Sequence, residues 1–347
     1  MKYTAMWKEI HEQPEVAKIV LETYMPKSEY FRDLLSDKKQ IIVTGMGASL
    51  YAAYMAKYVF LHYCSLIPRI IPADELPYLL DKMDKDTLIL FISQSGESYE
   101  TKVIGEMLKE KGIVFWGMTN DSESWLAHNA AEVLFLHSGL EISSATKTNL
   151  ASYLILCIIA SGYDKAVKKI LKEIPEKLRD TLIRAEKATD IAAEQLEKAE
   201  HAYILGLGAN AATAVQGALL LQEKAFIHAG GSSVSDFRHG TVEVTEKGLP
   251  IILVASGKAY TEIALQHGKF LKEIGAVVYL ITDHPEANNI LDQKHIIQVP
   301  VCPIEEFSSA VCLMPLQLLA EMTARKKGLE VDGFRHLSKV VGEYGGK

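Results

Sequence analysis

The sequence predicts an α/β protein of two tandem three-layer α/β/α domains, each built on a parallel sheet. Three observations carry that expectation. Short continuous apolar runs alternate with helix-length segments, the pattern of strands covered on both faces and joined by helical crossovers. The length, 347 residues, exceeds what one hydrophobic core usually fills. The two halves also repeat each other. IIVTGMGAS, with Gly45 and Gly47, parallels AYILGLGAN, with Gly206 and Gly208, at an offset of 161. Ser95-Gly96, after TLILFIS, parallels Ser256-Gly257, after PIILVAS, at the same 161, and Thr119 parallels Thr282 at 163. Landmarks recurring in one order indicate a tandem duplication.

In chain order, residues 1–34 are expected to be helical, with Pro14 early in the segment. The first domain, 35–163, carries expected strands at Gln40–Thr44, Thr87–Ile92 and Val114–Met118, each followed by a turn and a helix. Residues 164–200 are charged and rich in Ala, Leu, Lys and Glu at helical spacing, which predicts linking helices broken near Pro175. The second domain spans 201–328, and 329–347 is a mixed tail, Gly-rich at its end.

Composition limits the function. With 48% hydrophobic and 23% charged residues the chain is ordinary globular protein. Lys and Arg number 37 against 44 Asp and Glu, a net charge of −7 without a basic block. That balance argues against nucleic acid or an anionic membrane as a partner. A small anion needs only local positive potential and stays open. Cys64, Cys157, Cys302 and Cys312 lie in apolar runs without a C-x-x-C pair, as buried thiols of a reducing cytoplasm would. The N-terminus has no apolar h-region, so no signal peptide is expected, and Ala151 to Ala160 is too short to span a bilayer. No His, Cys and Asp cluster has metal-ligand spacing, so neither a metal nor a cofactor is expected.

In parallel sheets ligands bind at the strand-to-helix turns of the carboxyl edge. The first half places two there. Gly45-Met46-Gly47-Ala48-Ser49 lets backbone amides approach an anion, with Ser49 opening a helix. Ser93-Gln94-Ser95-Gly96-Glu97-Ser98 supplies three hydroxyls and a Gly at a helix start, which suits a phosphate held by amides and the helix dipole. Ordinary N-capping would also use serine, but a run of this density after a buried strand favours a site. In the second half the aligned stretch is Ala255-Ser256-Gly257-Lys258-Ala259, which lacks that chemistry. Gly206-Leu207-Gly208-Ala209-Asn210-Ala211 fits a dinucleotide fingerprint superficially, yet no acidic residue follows a second strand at the required distance.

The second half has its own polar groups. Glu223 lies between apolar Ala218–Leu221 and Ala225–Ile227, where desolvation would raise a carboxylate toward useful base strength; the spacing fits an exposed helix position equally well. His239 follows Arg238 in a polar turn ahead of the strand-like Thr241–Thr245. His228 and His336 are weaker candidates.

These motifs together resemble the SIS (sugar isomerase) superfamily, and within it the isomerase domain of glucosamine-6-phosphate synthase. The resemblance covers almost the whole chain, from Trp7-Lys8-Glu9-Ile10 onward. It implies flavodoxin-like SIS domains that act on a sugar phosphate as a cytoplasmic homodimer with shared active sites. By this resemblance Ser49, Ser93, Gln94, Ser95 and Ser98 bind the phosphate. Gly47, Ala48, Ser143, Ser144 and Ser338 lie near the sugar, as do Thr146 and Lys147 of the S-S-A-T-K segment. Glu223 corresponds to the carboxylate that moves a proton between C1 and C2, His239 to the ring-opening histidine, and Lys339 of D-G-F-R-H-L-S-K to an active-site lysine of the tail.

Three departures bear on the reaction. No glutaminase domain or N-terminal nucleophilic Cys precedes the first helix, Leu220 replaces the family lysine three residues before the carboxylate, and the loop reads Phe237-Arg238-His239-Gly240. The first argues for amine release rather than synthesis, hence glucosamine 6-phosphate to fructose 6-phosphate and ammonia. The last resembles deglycases of phosphorylated Amadori sugars, so deglycation of fructosamine 6-phosphates stays open. A non-catalytic sugar-phosphate sensor is the third reading, against which the joint retention of Glu223, His239 and Lys339 weighs.

Overall fold

The computed structural model describes residues 3–285, 287, 291–336 and 338–342. The chain divides into two compact units. The first-sheet unit holds residues 15–172 with the described tail from Phe334, and the second-sheet unit holds the described residues up to Pro14 with 173–333.

Helix α1 (Ala5–Tyr24), which contains Pro14, starts in the second-sheet unit and belongs to the first-sheet unit from Glu15 on, where the chain continues through a 3-10 turn (Met25–Lys27) into α2 (Ser28–Ser36). There follow β1 (Gln40–Gly45), α3 (Gly47–Tyr63), β2 (Arg69–Pro72), a 3-10 stretch (Ala73–Lys82) and β3 (Thr87–Ile92). Next come α4 (Tyr99–Glu110), β4 (Phe115–Thr119), α5 (Trp125–Asn129), β5 (Glu132–Phe135) and α6 (Lys147–Ser161). The five strands pair in parallel in the order β2-β1-β3-β4-β5. Every residue of β3 is buried, which is why its six residues are uniformly apolar or Thr. Ile42, Ile89, Phe91, Ile104, Leu108 and Phe115 form part of the core on one side of the sheet. On α6 every residue is buried, as expected of a helix apolar all round. Gly45 pairs with Ile92, so the turns after β1 and β3 leave the same sheet edge side by side.

Helix α7 (Lys165–Leu196) carries the chain into the second-sheet unit. There β6 (His201–Gly206), α8 (Asn210–Leu220), a π-helical turn (Leu221–Ala225), β7 (His228–Ser233), α9 (Val234–Arg238) and a 3-10 turn (Thr241–Val244) precede β8 (Pro250–Ala255). Helix α10 (Lys258–Glu273), β9 (Val277–Thr282), β10 (Ile296–Gln298) and α11 (Ser309–Lys326) complete the unit. Its sheet, β10-β9-β8-β6-β7, is parallel throughout. Read from the other edge, the order is second, first, third, fourth, fifth strand, the same as in the first sheet, and it is the flavodoxin-like 2-1-3-4-5 arrangement.

Four expectations change. Pro175 does not break the 164–200 segment; it lies inside the single 32-residue α7, where buried Val167, Leu171, Ile174 and Leu178 form one face. Burial of that face outweighs the loss of one backbone bond, which costs about 3 kcal/mol. Thr241–Val244 is a 3-10 turn rather than a strand. The second pair of landmarks also shifts: β3 and β8 end at Ile92 and Ala255, 163 apart, so Ser93 and not Ser95 corresponds to Ser256. The six residues Ser93–Ser98 separate β3 from α4, whereas only Ser256 and Gly257 separate β8 from α10. One turn of helix in the second copy is thus an open loop in the first. Finally, a longer apolar helix exists than Ala151 to Ala160: the helical stretch Glu305–Lys326 is long and apolar enough to cross a membrane by composition, and its apolar 18-residue window is buried inside the protein.

Candidate functional site

The open loop of the first sheet is held from within. Gly96 has φ +64, and a Cβ there would lie 2.2 Å from Ser124 Oγ, so only glycine fits. Its amide donates to the carbonyl and the Oγ of Ser93, both at 3.1 Å. The Glu97 amide donates to Ser95 Oγ at 3.2 Å, and Ser98 takes the N-cap position of α4 with its hydroxyl 2.6 Å from Thr101 Oγ1. Gln94 and Thr119 are tied together, the Thr119 hydroxyl donating to the Gln94 carbonyl at 3.2 Å. Ser93 is buried, and Gln94, Ser95 and Ser98 are half-buried. Glu97 points its carboxylate to Lys102 at 2.5 Å and accepts the Trp125 amide. The Lys102 bond, then the Trp125 amide, hold the Glu97 carboxyl below the usual carboxylate range. The one acid in the loop is thereby paired with a lysine. Hydroxyls, amides and the start of α4 give this turn the donor set of an oxyanion cradle.

The neighbouring turn is tied to α6. Gly47 has φ +51, and the Ala48 carbonyl accepts from the Asn149 amide nitrogen at 2.7 Å. Ser49 sits half-buried as the third residue of α3. The other amide atom of Asn149, Oδ1, and the Oγ of Ser144 are buried without a hydrogen-bond partner among the described residues. Of these two atoms, the Asn149 Oδ1 belongs to the side chain that holds the Gly45–Ser49 turn through Ala48.

Glu141 organises the far side. Its side chain is wholly buried. It accepts from the Thr146 amide (2.9 Å), the Thr146 hydroxyl (3.1 Å), the Thr148 amide (3.2 Å) and the Thr148 hydroxyl (2.6 Å). The fifth donor is Lys339 of the tail, whose ammonium lies 3.2 Å from Oε2 and also donates to the Ser143 carbonyl. Two residues on, the Val341 carbonyl accepts the Tyr99 amide at the start of α4 (3.0 Å). The tail therefore joins the start of α6 to the start of the helix behind the serine loop. Ser338 is exposed and donates to the Val340 carbonyl within the tail; His336 is also exposed, and Leu337 and 343–347 lie outside the described residues. Sequence reasoning missed Glu141 and Asn149. A lone Glu between Leu140 and Ile142, ahead of a helix start, was the available signal.

In the second-sheet unit Glu223 lies on the π-helical turn, not on regular α-helix, and is half-buried. The turn ends at Phe226, a non-glycine residue at φ +52. Inserted π-turns and left-handed non-glycine residues both cost energy and concentrate at functional positions. Next to Glu223, Lys224 is completely buried and donates to the Gly333 carbonyl at 3.1 Å, a third residue that sequence reasoning missed. His239 is exposed at the end of α9, whose start is capped by Ser233 through the Asp236 amide at 3.0 Å. His228 is exposed at the edge strand β7 and stacks on His201 with centroids 5.6 Å apart. The first-sheet unit thus brings together Ser93, Ser95 and Ser98 in one loop, and Ser143 with Lys339; Glu223 and His239 belong to the other unit, on separate elements.

The corresponding turns of the second sheet are filled by the chain itself. Asp283 is buried; its Oδ2 accepts the Ser256 hydroxyl (2.8 Å) and the Cys302 amide (3.3 Å), and its Oδ1 accepts the Gly257 amide (2.7 Å). After β6, Glu305 Oε1 accepts the Ala209 amide at 2.9 Å and lies where a Cβ on Gly208 would come within 2.2 Å. Burial pushes the Glu305 carboxyl above its ordinary value. The G-x-G turn that imitates a dinucleotide fingerprint therefore faces a carboxylate.

Paired 2-1-3-4-5 sheets with ligand-type turns at the strand ends define a double flavodoxin-like α/β protein. The chain belongs to the SIS domain family, whose model matches residues 34–174 and 195–324. It is 32% identical over 346 residues to the glutamine–fructose-6-phosphate aminotransferase (isomerizing) of Pyrococcus horikoshii, covering 97% of this chain and 57% of that protein. The chain therefore spans little more than half the length of such relatives. Among solved structures, the C-terminal domain of glucosamine-fructose-6-phosphate aminotransferase from Francisella tularensis matches with a TM-score of 0.81 at 24% identity, covering 96% of this chain and 99% of that one. Glucosamine-6-phosphate deaminase from Thermotoga maritima matches with a TM-score of 0.75 at 20% identity, covering 97% and 99%.

Proposed function

We propose that this protein is a phosphosugar isomerase that releases the amine of an amino-sugar phosphate, converting glucosamine 6-phosphate to fructose 6-phosphate and ammonia. The observation that carries the reading is the Ser93–Ser98 loop, with its hydroxyls, its left-handed Gly96 and its position at the start of α4. In this reading Ser93, Gln94, Ser95, Ser98 and Ser49 hold the phosphate, and Gly47, Ala48, Ser143, Ser144 and Ser338 border the sugar. His239 opens the pyranose ring, acting in a neighbouring copy of the chain. Glu223 then removes the C2 proton of the open-chain aldehyde and returns it to C1. The product is a C2 ketimine, which water hydrolyses to the ketose and ammonia. A positioned carboxylate of this kind contributes about 10² to 10⁴-fold. Lys339, held by Glu141 and Ser143, closes the sugar end.

The test is incubation with glucosamine 6-phosphate, scoring ammonia and fructose 6-phosphate, beside Glu223→Gln. Release of both by the native protein and not by the variant is expected. Release of glucose 6-phosphate and free amine from fructosamine 6-phosphates, with glucosamine 6-phosphate untouched, would overturn the reading in favour of deglycation, toward which the Phe237-Arg238-His239-Gly240 sequence points. If Glu223→Gln mixed with His239→Ala regains no activity under subunit exchange, the shared site is wrong.

A further inference from the structure

The two residues that flank Glu223 are both tied to backbone of the second-sheet unit, each to a different segment. Gln222 is exposed, and its Nε2 donates to the Ala229 carbonyl of β7 at 2.6 Å. Lys224 is completely buried, and its ammonium donates to the Gly333 carbonyl at 3.1 Å. That carbonyl belongs to a segment that is itself held. Val331 is buried, and the Asp332 carboxylate accepts the Ala5 and Met6 amides, at the start of α1, at 2.8 and 3.1 Å. Between the two ties runs the π-helical turn Leu221–Ala225, closed by Phe226 at φ +52. Both conformations are unfavourable in isolation and persist where the surroundings hold them.

Stability alone does not call for a lysine at 224. Taking an ammonium out of water is unfavourable, and an apolar side chain of similar length would fill the same space without that penalty. What the lysine adds is a directional donor at the end of a long side chain. Drawn inward to Gly333, it fixes the rotation of the turn from one side, and Gln222 fixes it from the other. Glu223, half-buried, lies between these two anchored neighbours. A general base must sit within hydrogen-bond reach of the proton it takes, and a misplacement of about 1 Å can lower the rate about 10²-fold. We propose that Lys224, assisted by Gln222, is a positioning residue for Glu223: the two ties hold the π-turn in the rotation that aims the carboxylate at C1 and C2 of the sugar. Completely buried, Lys224 acts without touching the substrate. The proposal rests on the reading of Glu223 as the proton-transfer base.

The experiment measures kcat and KM of the full chain on whichever of glucosamine 6-phosphate and a fructosamine 6-phosphate it turns over, with denaturant unfolding alongside. Lys224→Met should lower kcat about 10- to 100-fold, hold KM within about a factor of two, and unfold no earlier than the native protein. Gln222→Leu, at an exposed position, should lower kcat about threefold or more, again at unchanged KM. In a Glu223→Gln background neither substitution should lower the residual rate further, because the group they position is gone. If Glu223→Gln is inactive while Lys224→Met and Gln222→Leu keep the native kcat, the positioning role is overturned and the base assignment stands. A Lys224→Met protein that loses stability without a selective fall in kcat also overturns it, since that marks a purely structural lysine. If neither sugar is turned over, or Glu223→Gln keeps the native rate, the base assignment fails and the positioning role falls with it.

Discussion

The two sheets share a strand order, yet their ligand-edge turns have opposite chemistry. After β8 the chain enters α10 within two residues, and the donors of that turn are taken by the Asp283 carboxylate. After β3 it spends six residues, and the hydroxyls and amides of Ser93–Ser98 meet one another, Gln94 and Thr119, with Glu97 drawn aside by Lys102. The same contrast holds one strand over, where Glu305 accepts the Ala209 amide but the Gly45–Ser49 turn is buttressed by the neutral Asn149. An oxyanion suits both edges. One edge receives it from its own side chains; in the proposed reading the other takes it from a ligand. A duplicated fold can divide its labour in this way without changing its topology.

The largest expected effect separates binding from chemistry. Glu223→Gln should lower proton exchange between C1 and C2 by about 10² to 10⁴-fold while leaving phosphosugar affinity within a factor of two or so by calorimetry. Equal loss of affinity and rate would mean that Glu223 belongs to binding. The next comparison pairs two glycines. Gly96→Ala places a Cβ against Ser124 at φ +64 and should weaken phosphosugar binding roughly 10- to 100-fold, consistent with strain of about 1–3 kcal/mol. Gly257→Ala, at φ +75 with nothing within 4 Å, should cost about 1–2 kcal/mol of stability and leave affinity alone. If Gly257→Ala weakens binding as much as Gly96→Ala, the division between the turns fails.

Removing the built-in anion gives a stability effect. Asp283→Ala leaves the Ser256 hydroxyl and the Gly257 and Cys302 amides without their acceptor, so denaturant unfolding should show a loss of about 1–3 kcal/mol at unchanged affinity. A smaller change is expected for Ser95→Ala, which should weaken phosphosugar binding about tenfold, or about 1.4 kcal/mol, with unfolding unaffected.

The smallest effect is in pH. Glu97 is held below the usual carboxylate range by Lys102, so its contribution is complete above the ordinary value and fades as pH falls through its lowered pKa. Burial raises Glu305, which has the opposite sign: its ionisation opposes folding, and acidification through its raised pKa relieves that cost. Carboxyl NMR should find Glu305 titrating above Glu97, and the reverse order would contradict the two environments.

Much of this architecture could be read from local pattern. The apolar runs located β1, β3 and β4 to within a residue, and Gly45 and Gly206 marked the paired first strands at their true offset of 161. Motif matching was misled at the Ser-Gly pair, because the structural correspondence runs through the strand ends, where a helical turn had been exchanged for loop. Pro175 was misread because local propensity takes no account of the buried face of α7. Asp283 and Glu305 carried no local signal. Each acts on a turn 26 to 96 residues away, at Gly257 and Ala209 respectively, and only the sheet brings them there. Glu141 was hidden for the same reason in its bond to Lys339, 198 residues on.

The most direct measurement is a backbone amide NMR titration of the full chain with glucosamine 6-phosphate, with stoichiometry from calorimetry. One molecule per chain is expected, with the largest shifts at Ser95, Gly96, Glu97 and Ser98 and none beyond background at Ala209 and Gly257. Two molecules per chain, or shifts at Ala209 and Gly257 that match those of the serine loop, would contradict the claim that only the first sheet takes its anion from a ligand.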